Sequence, residues 1–147
     1  MSDRFRIRDY RPADFGPVQA LWEAVDMGGL KRGDTAEVID RTLRQAQARF
    51  FVLEAPGSGD IAGTSWITCD GRRLLLHHFA VKPEYQGRGL SKLLLEASLR
   101  HAREAGLPIK LEVARNNLRA VELYKKAGFK SLGDYEVYIL RDVKGRF

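Results

Sequence analysis

The sequence predicts an α/β fold: one domain over residues 1–147, with a mixed, mostly antiparallel sheet of about seven strands and about four helices. Three observations predict it. Between Phe50 and Val81, three apolar runs are separated by Pro56-Gly57-Ser58-Gly59-Asp60 and by Asp70-Gly71, as consecutive antiparallel strands are. The run Leu74–Val81 is followed by a long amphipathic segment, Leu90–Ala105, and then by a short apolar run from Ile109. Strand, crossover helix and strand in that order make the two strands parallel. Finally, 147 residues with 44% hydrophobic and 30% charged side chains suit one domain with its own core.

Each element has a local reason. Phe5-Arg6-Ile7-Arg8 alternates apolar and charged, as a strand with one solvated face does. Pro12 presets the first turn of a helix, with Asp14 near its positive end. Phe15, Val18, Leu21, Trp22 and Val25 then recur at helical spacing. The glycines of residues 27–34 mark a flexible loop. Thr35 caps a second helix with Val38, Ile39, Thr42, Leu43 and Ala46 on one face. Strands follow at 50–54, 61–68 and 72–81. Leu90, Leu93, Leu94, Ala97 and Ala102 lie on one face of the third helix, which Gly106 and Pro108 end. Residues 109–114 form a short strand that carries Glu112. Asn117 opens the fourth helix, with Ala120, Val121, Leu123, Tyr124 and Ala127 inward and Gly128 as its stop. Residues 129–132 and 135–140 make a closing pair of strands around Gly133-Asp134.

Lysine and arginine number 25 against 19 acidic residues, a net charge of +6. The charges are scattered, which suits a site for an anionic small molecule better than a nucleic-acid surface. One cysteine and three histidines make no zinc pattern, and no metal is expected. The lone Cys69 excludes an internal disulfide and points to a reducing, cytoplasmic setting. No apolar run follows Met1, so no secretion signal is expected. No apolar stretch approaches the ~20 residues that span a bilayer.

The densest chemistry lies between residues 79 and 92. Gln86-Gly87-Arg88-Gly89-Leu90-Ser91-Lys92 joins a strand end to a helix start, and its amides face a common centre at the positive end of that helix. Such a loop binds phosphate or pyrophosphate without a metal. A P-loop needs four residues between its first Gly and its Gly-Lys-Ser/Thr, which Gly87-Arg88-Gly89 does not offer, and a dinucleotide fingerprint fails because residue 92 is lysine. The spacing does fit Gln/Arg-x-x-Gly-x-Gly/Ala, with Ser91 in the last position. That pattern resembles the pyrophosphate loop of the GNAT superfamily of N-acetyltransferases. Upstream, Val81-x-Pro83-Glu84-Tyr85 is similar to the family's strand end. Downstream, residues 117–129 resemble its second signature, Asn-x-x-Ala-x-x-Leu-Tyr-x-x-x-Gly-Phe. The predicted element order matches the family fold along nearly the whole chain.

The resemblance implies an acetyl-CoA-dependent N-acetyltransferase acting on a primary amine of a small molecule or a peptide or protein N-terminus, by direct attack in a ternary complex. It implies that the strand ending at Val81 splays from its parallel neighbour. Phe79, Ala80 and Val81 would then hydrogen-bond the pantetheine arm, with the Val81 amide facing the thioester oxygen. Gly87, Arg88, Gly89, Leu90, Ser91 and Lys92 would hold the pyrophosphate, and Asn117 would contact the cofactor near the arm. Tyr124 would be the acid that protonates the departing thiolate, since a phenol of pKa ~10 is protonated at neutral pH. Glu112 and His77 match positions at which relatives carry a base. The residues themselves leave other roles open: a packed aromatic for Tyr124, a helix cap for Asn117, an ion-paired strand residue for Glu112, and hydrogen-bonded strand histidines for His77 and His78. Substrate choice falls to residues 27–34, with Asp26, Lys31, Arg32 and Asp34 in or beside them, and to 131–136. Trp22 and Trp66 suit either a pocket wall or the core. The alternative is a catalytically inactive acyl-CoA-binding module. Monomer and homodimer both fit.

Overall fold

Arg49–Glu54 (β2) reads Arg-Phe-Phe-Val-Leu-Glu, apolar at four successive positions. A strand without a polar face needs cover on both sides, and that sets the layers. In the computed structural model, which describes residues 4–144, β2 lies inside a five-stranded sheet ordered β1-β2-β3-β4-β5. The other strands are β1, Arg6–Asp9; β3, Ile61–Cys69; β4, Leu74–Val81; and β5, Ile109–Leu111. β1 to β4 are antiparallel neighbours, and β5 runs parallel to β4. Helices α1 (Phe15–Ala24) and α2 (Ala36–Leu43) cover one face, where Phe50, Val52 and Trp66 pack with Trp22 and Ile39. Helix α3 (Leu90–Ala105) covers the other, where Leu53, Ala62 and Val81 meet Leu90.

The α1 side is an aromatic stack. Trp22 and Trp66 lie nearly parallel with centroids 5.9 Å apart, and Phe50 stacks on both. Each indole N–H has a partner: Trp22 Nε1 donates to Thr64 Oγ1 at 2.9 Å, and Trp66 Nε1 to Thr42 Oγ1 at 3.0 Å. Both tryptophans are buried, so they belong to the core rather than to a pocket wall. Thr35 caps α2 as predicted, accepting from the Val38 amide. Gly106, in the left-handed region, ends α3.

The described residues divide into two compact units, one up to Glu112 and the other from Val113. The first holds the sheet and α1 to α3. The second holds α4, Leu118–Lys126, and the segment after it. Gly128 stops α4 as predicted, with the Phe129 amide returning to the Tyr124 carbonyl at 3.0 Å. Residues 129–140 form no strand, so the described sheet has five strands rather than about seven. An apolar run becomes a strand only through a ladder partner, and within their unit this segment has none.

The start of β4 and the end of β5 also differ from expectation. β4 begins at Leu74 rather than at residue 72, because Asp70 Oδ1 accepts from the amides of both Arg72 and Arg73 and holds them in the turn. β5 stops at Leu111, which leaves Glu112 just past it.

Arg8 ties three segments together. Its Nη1 and Nη2 donate to the two oxygens of Asp14 at 2.9 Å each, and its Nε donates to Glu54 Oε2 at 2.6 Å. Asp14 also accepts from the Arg11 amide and so closes the Pro12–Asp14 turn that leads into α1. The Arg8 hydrogen bonds hold both carboxyls below the usual carboxylate range. Folded values lowered in this way give stability that is present above the unfolded carboxyl range and is lost as pH falls through the folded values. Replacing Arg8 with Met is expected to cost about 2 kcal/mol at pH 7 in urea unfolding. The gap to wild type should narrow as pH drops below the carboxylate range; a gap that stays constant with pH would contradict this.

Candidate active site

The site begins with a mismatch between two strands. β3 and β4 pair from Cys69↔Leu74 to Trp66↔His77, and again at Thr64↔Ala80 and Gly63↔Val81. His78 and Phe79 therefore oppose Ser65 alone, a β-bulge on β4. His78 takes φ +46° there, a conformation that costs a non-glycine residue about 1–3 kcal/mol. Its surroundings hold it: Thr64 Oγ1 donates to the His78 carbonyl at 2.6 Å, and the ring stands edge-on to Trp22 with centroids 4.2 Å apart. The bulge also turns consecutive residues to one side, since His77 and His78 both meet Trp66 edge-on, at 6.0 and 5.5 Å.

β4 parts from β5 just before the bulge. Their ladder runs only from Leu74↔Ile109 to Leu76↔Leu111. On the other edge, the Lys82 amide donates to the Ala62 carbonyl at 2.7 Å. By the alternation of an antiparallel ladder, the Val81 N–H and C=O point away from β3, to the edge that β5 has stopped covering. The Val81 carbonyl accepts from Gln86 Nε2 at 2.8 Å. Gly63 allows this approach of β3 and β4, because a Cβ there would sit 2.9 Å from the Ala80 carbonyl oxygen.

The strand end runs through a Pro83–Tyr85 turn into an exposed glycine loop. Gly87 and Gly89 have φ +81° and +75°, left-handed values natural to glycine. Gly89 is the N-cap of α3, and no side chain caps it. The first-turn amides of a helix have no partner within it, so this end presents amides to solvent, the chemistry that can receive an anion. Leu90 anchors the turn in the core beside Val81 and Leu53. Arg88 lies over the Tyr85 ring at 5.7 Å. Lys92 is exposed, and Ser91 half-buried. Residues 86–89 are thus open to solvent rather than sealed inside.

The bulge gathers titratable groups. His77 Nε2 lies 2.8 Å from Thr68 Oγ1. His78 Nε2 lies 2.9 Å from Asp34 Oδ2, each side chain 18% exposed. Burial pushes the His77 imidazole down, His78 adds to this, and Glu112 and Asp34 oppose it. Burial also pushes His78 down, and it outweighs the pull of Asp34, while Arg32 adds to it. Both rings are therefore neutral at pH 7, and the His78–Asp34 contact is a hydrogen bond of a neutral imidazole rather than an ion pair. The loop that carries Asp34 is fixed as well. Gln19 Nε2 donates to the Asp34 carbonyl and Gln19 Oε1 accepts from the Leu30 amide, both at 3.0 Å. The glycines of residues 27–34 thus serve a held Gly29–Arg32 turn rather than the loose loop expected.

In the second unit, Asn117 caps α4, its Oδ1 accepting from the Ala120 amide at 3.3 Å. Tyr124 is buried with its ring 5.6 Å from that of Phe129. Burial pushes its phenol up to about 12, so it keeps its proton at neutral pH.

The sheet unit therefore brings Phe79, Ala80, Val81, the glycine loop, His77 and Glu112 to one strand end and its surroundings. From the sequence, His77 stands out before His78, and Asp34 is only one charge in a loop. A pair of histidines inside an apolar strand is the one local signal of the bulge. Nothing local links residue 34 to residue 78. Among the described residues, no group of three or more His, Cys, Asp or Glu is placed to hold a metal, and no helix is long and apolar enough to cross a membrane.

Solved structures share this fold. An acetyltransferase of the GNAT family from Staphylococcus aureus Mu50 superposes with TM-score 0.76 at 17% identity, covering 86% of this chain and 84% of that one. The aminoglycoside N-acetyltransferase AAC(6')-Iy in complex with CoA gives 0.74 at 18% identity, covering 96% and 97%. The ribosomal-protein-S18-alanine N-acetyltransferase from Escherichia coli gives 0.69 at 21% identity, covering 86% and 78%. The sequence model of the acetyltransferase (GNAT) family matches residues 17–129, a span that includes the bulged strand, the glycine loop and α4. This chain belongs to the acetyltransferase (GNAT) family.

Proposed function

We propose that this protein is an N-acetyltransferase that moves the acetyl group of acetyl-CoA to a primary amine of a small molecule or of a peptide or protein N-terminus, by direct attack in a ternary complex. One observation carries the reading. A strand end whose Val81 amide points to the edge that β5 no longer pairs runs into an exposed, uncapped helix terminus on glycines. The first feature suits a thioester oxygen and an amide-bearing arm; the second suits a diphosphate. The CoA bound to AAC(6')-Iy, a protein of the same fold, supports this choice of donor.

Acetyl-CoA supplies an activated acyl carbon; the chain's own groups hold and polarise it. Phe79, Ala80 and Val81 hold the pantetheine arm. The Val81 amide donates to the acyl oxygen, a preorganised contact that lowers the barrier by ~3 kcal/mol. Gly87, Arg88, Gly89, Leu90, Ser91 and Lys92 hold the diphosphate, and Asn117 contacts the arm. Tyr124, protonated across the neutral range, is the acid for the departing sulfur. Glu112 and His77 are base candidates. The E. coli neighbour is named for an alanine of a protein, and AAC(6')-Iy for aminoglycosides. Both classes therefore enter the test.

Calorimetry should detect acetyl-CoA binding, and no heat at millimolar acetyl-CoA would sink the proposal. Valine at position 89 is strained at φ +75°. Gly89→Val is therefore expected to weaken acetyl-CoA binding about tenfold or more while leaving the sheet intact by circular dichroism. Turnover is read as thiol release with four amines: an aminoglycoside, a polyamine, free lysine and an alanine-starting peptide. Tyr124→Phe should lower kcat about 100-fold with unchanged acetyl-CoA affinity; an unchanged kcat removes Tyr124 as the acid. Binding without turnover of any of the four would favour the inactive acyl-CoA-binding module instead.

A further inference from the structure

The contact between His78 and Asp34 has no part in the reading above, yet it joins the bulge to the loop after α1. We infer that His78 is the base that takes the proton of the acceptor amine, and that Asp34 is a positioning residue that fixes its tautomer. The inference rests on the acetyltransferase reading and adds the residue that readies the nucleophile.

The geometry is that of an oriented imidazole. A carboxylate oxygen only accepts, so the 2.9 Å contact places the hydrogen on His78 Nε2. Nδ1 then keeps its lone pair and has no hydrogen-bond partner among the described residues. His77 is committed differently, its Nε2 engaged by the Thr68 hydroxyl. His78 lies three residues before Val81, on the strand segment that β5 has left. Its strained backbone persists because Thr64, Trp22 and Asp34 hold the carbonyl, the ring edge and Nε2 in turn. A non-glycine residue at positive φ beside a candidate site is a functional signal when the surroundings enforce it. The charged and titratable groups facing the ring are Asp34 and Arg32 from the loop and His77 from its own strand. Glu112, past β5, faces the neighbouring His77. Burial keeps the ring neutral at pH 7, the form that accepts a proton, and Asp34 stabilises the imidazolium once it forms.

The step balances. The ammonium of the acceptor gives one proton to Nδ1, and His78 passes it to water. The freed nitrogen lone pair makes the N–C bond, and the C–S bond breaks with its electron pair on sulfur. The second proton that nitrogen sheds offsets the one that sulfur takes up.

The test separates base from scaffold. Asparagine tolerates positive φ and can still donate to Asp34, but it accepts no proton near neutrality. His78→Asn should keep the wild-type melting temperature and acetyl-CoA affinity. It should lower kcat about 100-fold on the fastest of the four amines, and flatten the rise of kcat with pH. Asp34→Asn removes the carboxylate that stabilises the imidazolium. The rising limb of kcat should then move to lower pH while its plateau falls about tenfold. In the free protein, nitrogen-15 spectra should show His78 as the Nε2–H tautomer in wild type, with that preference lost in Asp34→Asn. An Nδ1–H tautomer in wild type overturns the inference, as does an unmoved limb in Asp34→Asn. So does a limb removed by His77→Asn but not by His78→Asn. If His78→Asn fails to fold, the spectra and the Asp34→Asn limb decide. A wild type inactive on all four amines would instead overturn the acetyltransferase reading.

Discussion

The extra residue that β4 inserts opposite Ser65 is the constraint on which the site depends. The ladder with β5 stops just before it, the Val81 amide points to the edge that β5 no longer pairs, and two successive histidines turn toward the same tryptophan. A regular strand would send alternate side chains to opposite faces and would keep both edges paired. The deviation thus creates a donor, an opening and a cluster of imidazoles together.

The core stabilises that deviation. Thr64 is fully buried; its hydroxyl accepts from Trp22 and donates to the His78 carbonyl. Truncating a buried tryptophan of this kind typically costs about 3–5 kcal/mol, more than the ~1–3 kcal/mol of a left-handed histidine. The aromatic stack therefore enforces the strained backbone, while the same burial depresses both imidazoles. Arg8 fixes the entry to α1 through Asp14, and Gln19 fixes the loop after it. Both ends of α1 are in this way fixed, and with them the loop that carries Asp34.

Much of this was legible because it is local. Thr35 and Asn117 are side-chain caps whose partners lie three residues away. Gly106 and Gly128 stop helices by their own backbone freedom. The glycine loop follows from the spacing of Gly87 and Gly89, and it is exposed. What was not legible depends on residues far apart in the chain. Arg72 and Arg73 read as strand, yet Asp70 holds their amides in a turn. Glu112 reads as strand, but the ladder of β5 with β4 ends at Leu111, just before the bulge. Residues 135–140 have strand-forming composition, and composition alone supplies no ladder.

By itself, the order of residues determined the helices, the turns, the antiparallel run, the parallel pair and the glycine loop, because periodicity, capping and turn chemistry act over a few positions. Only the folded chain decided which histidine faces a carboxylate, since Asp34 and His78 stand 44 residues apart. It also decided where β4 and β5 part. Register between strands is a property of two segments at once, and no single stretch encodes it.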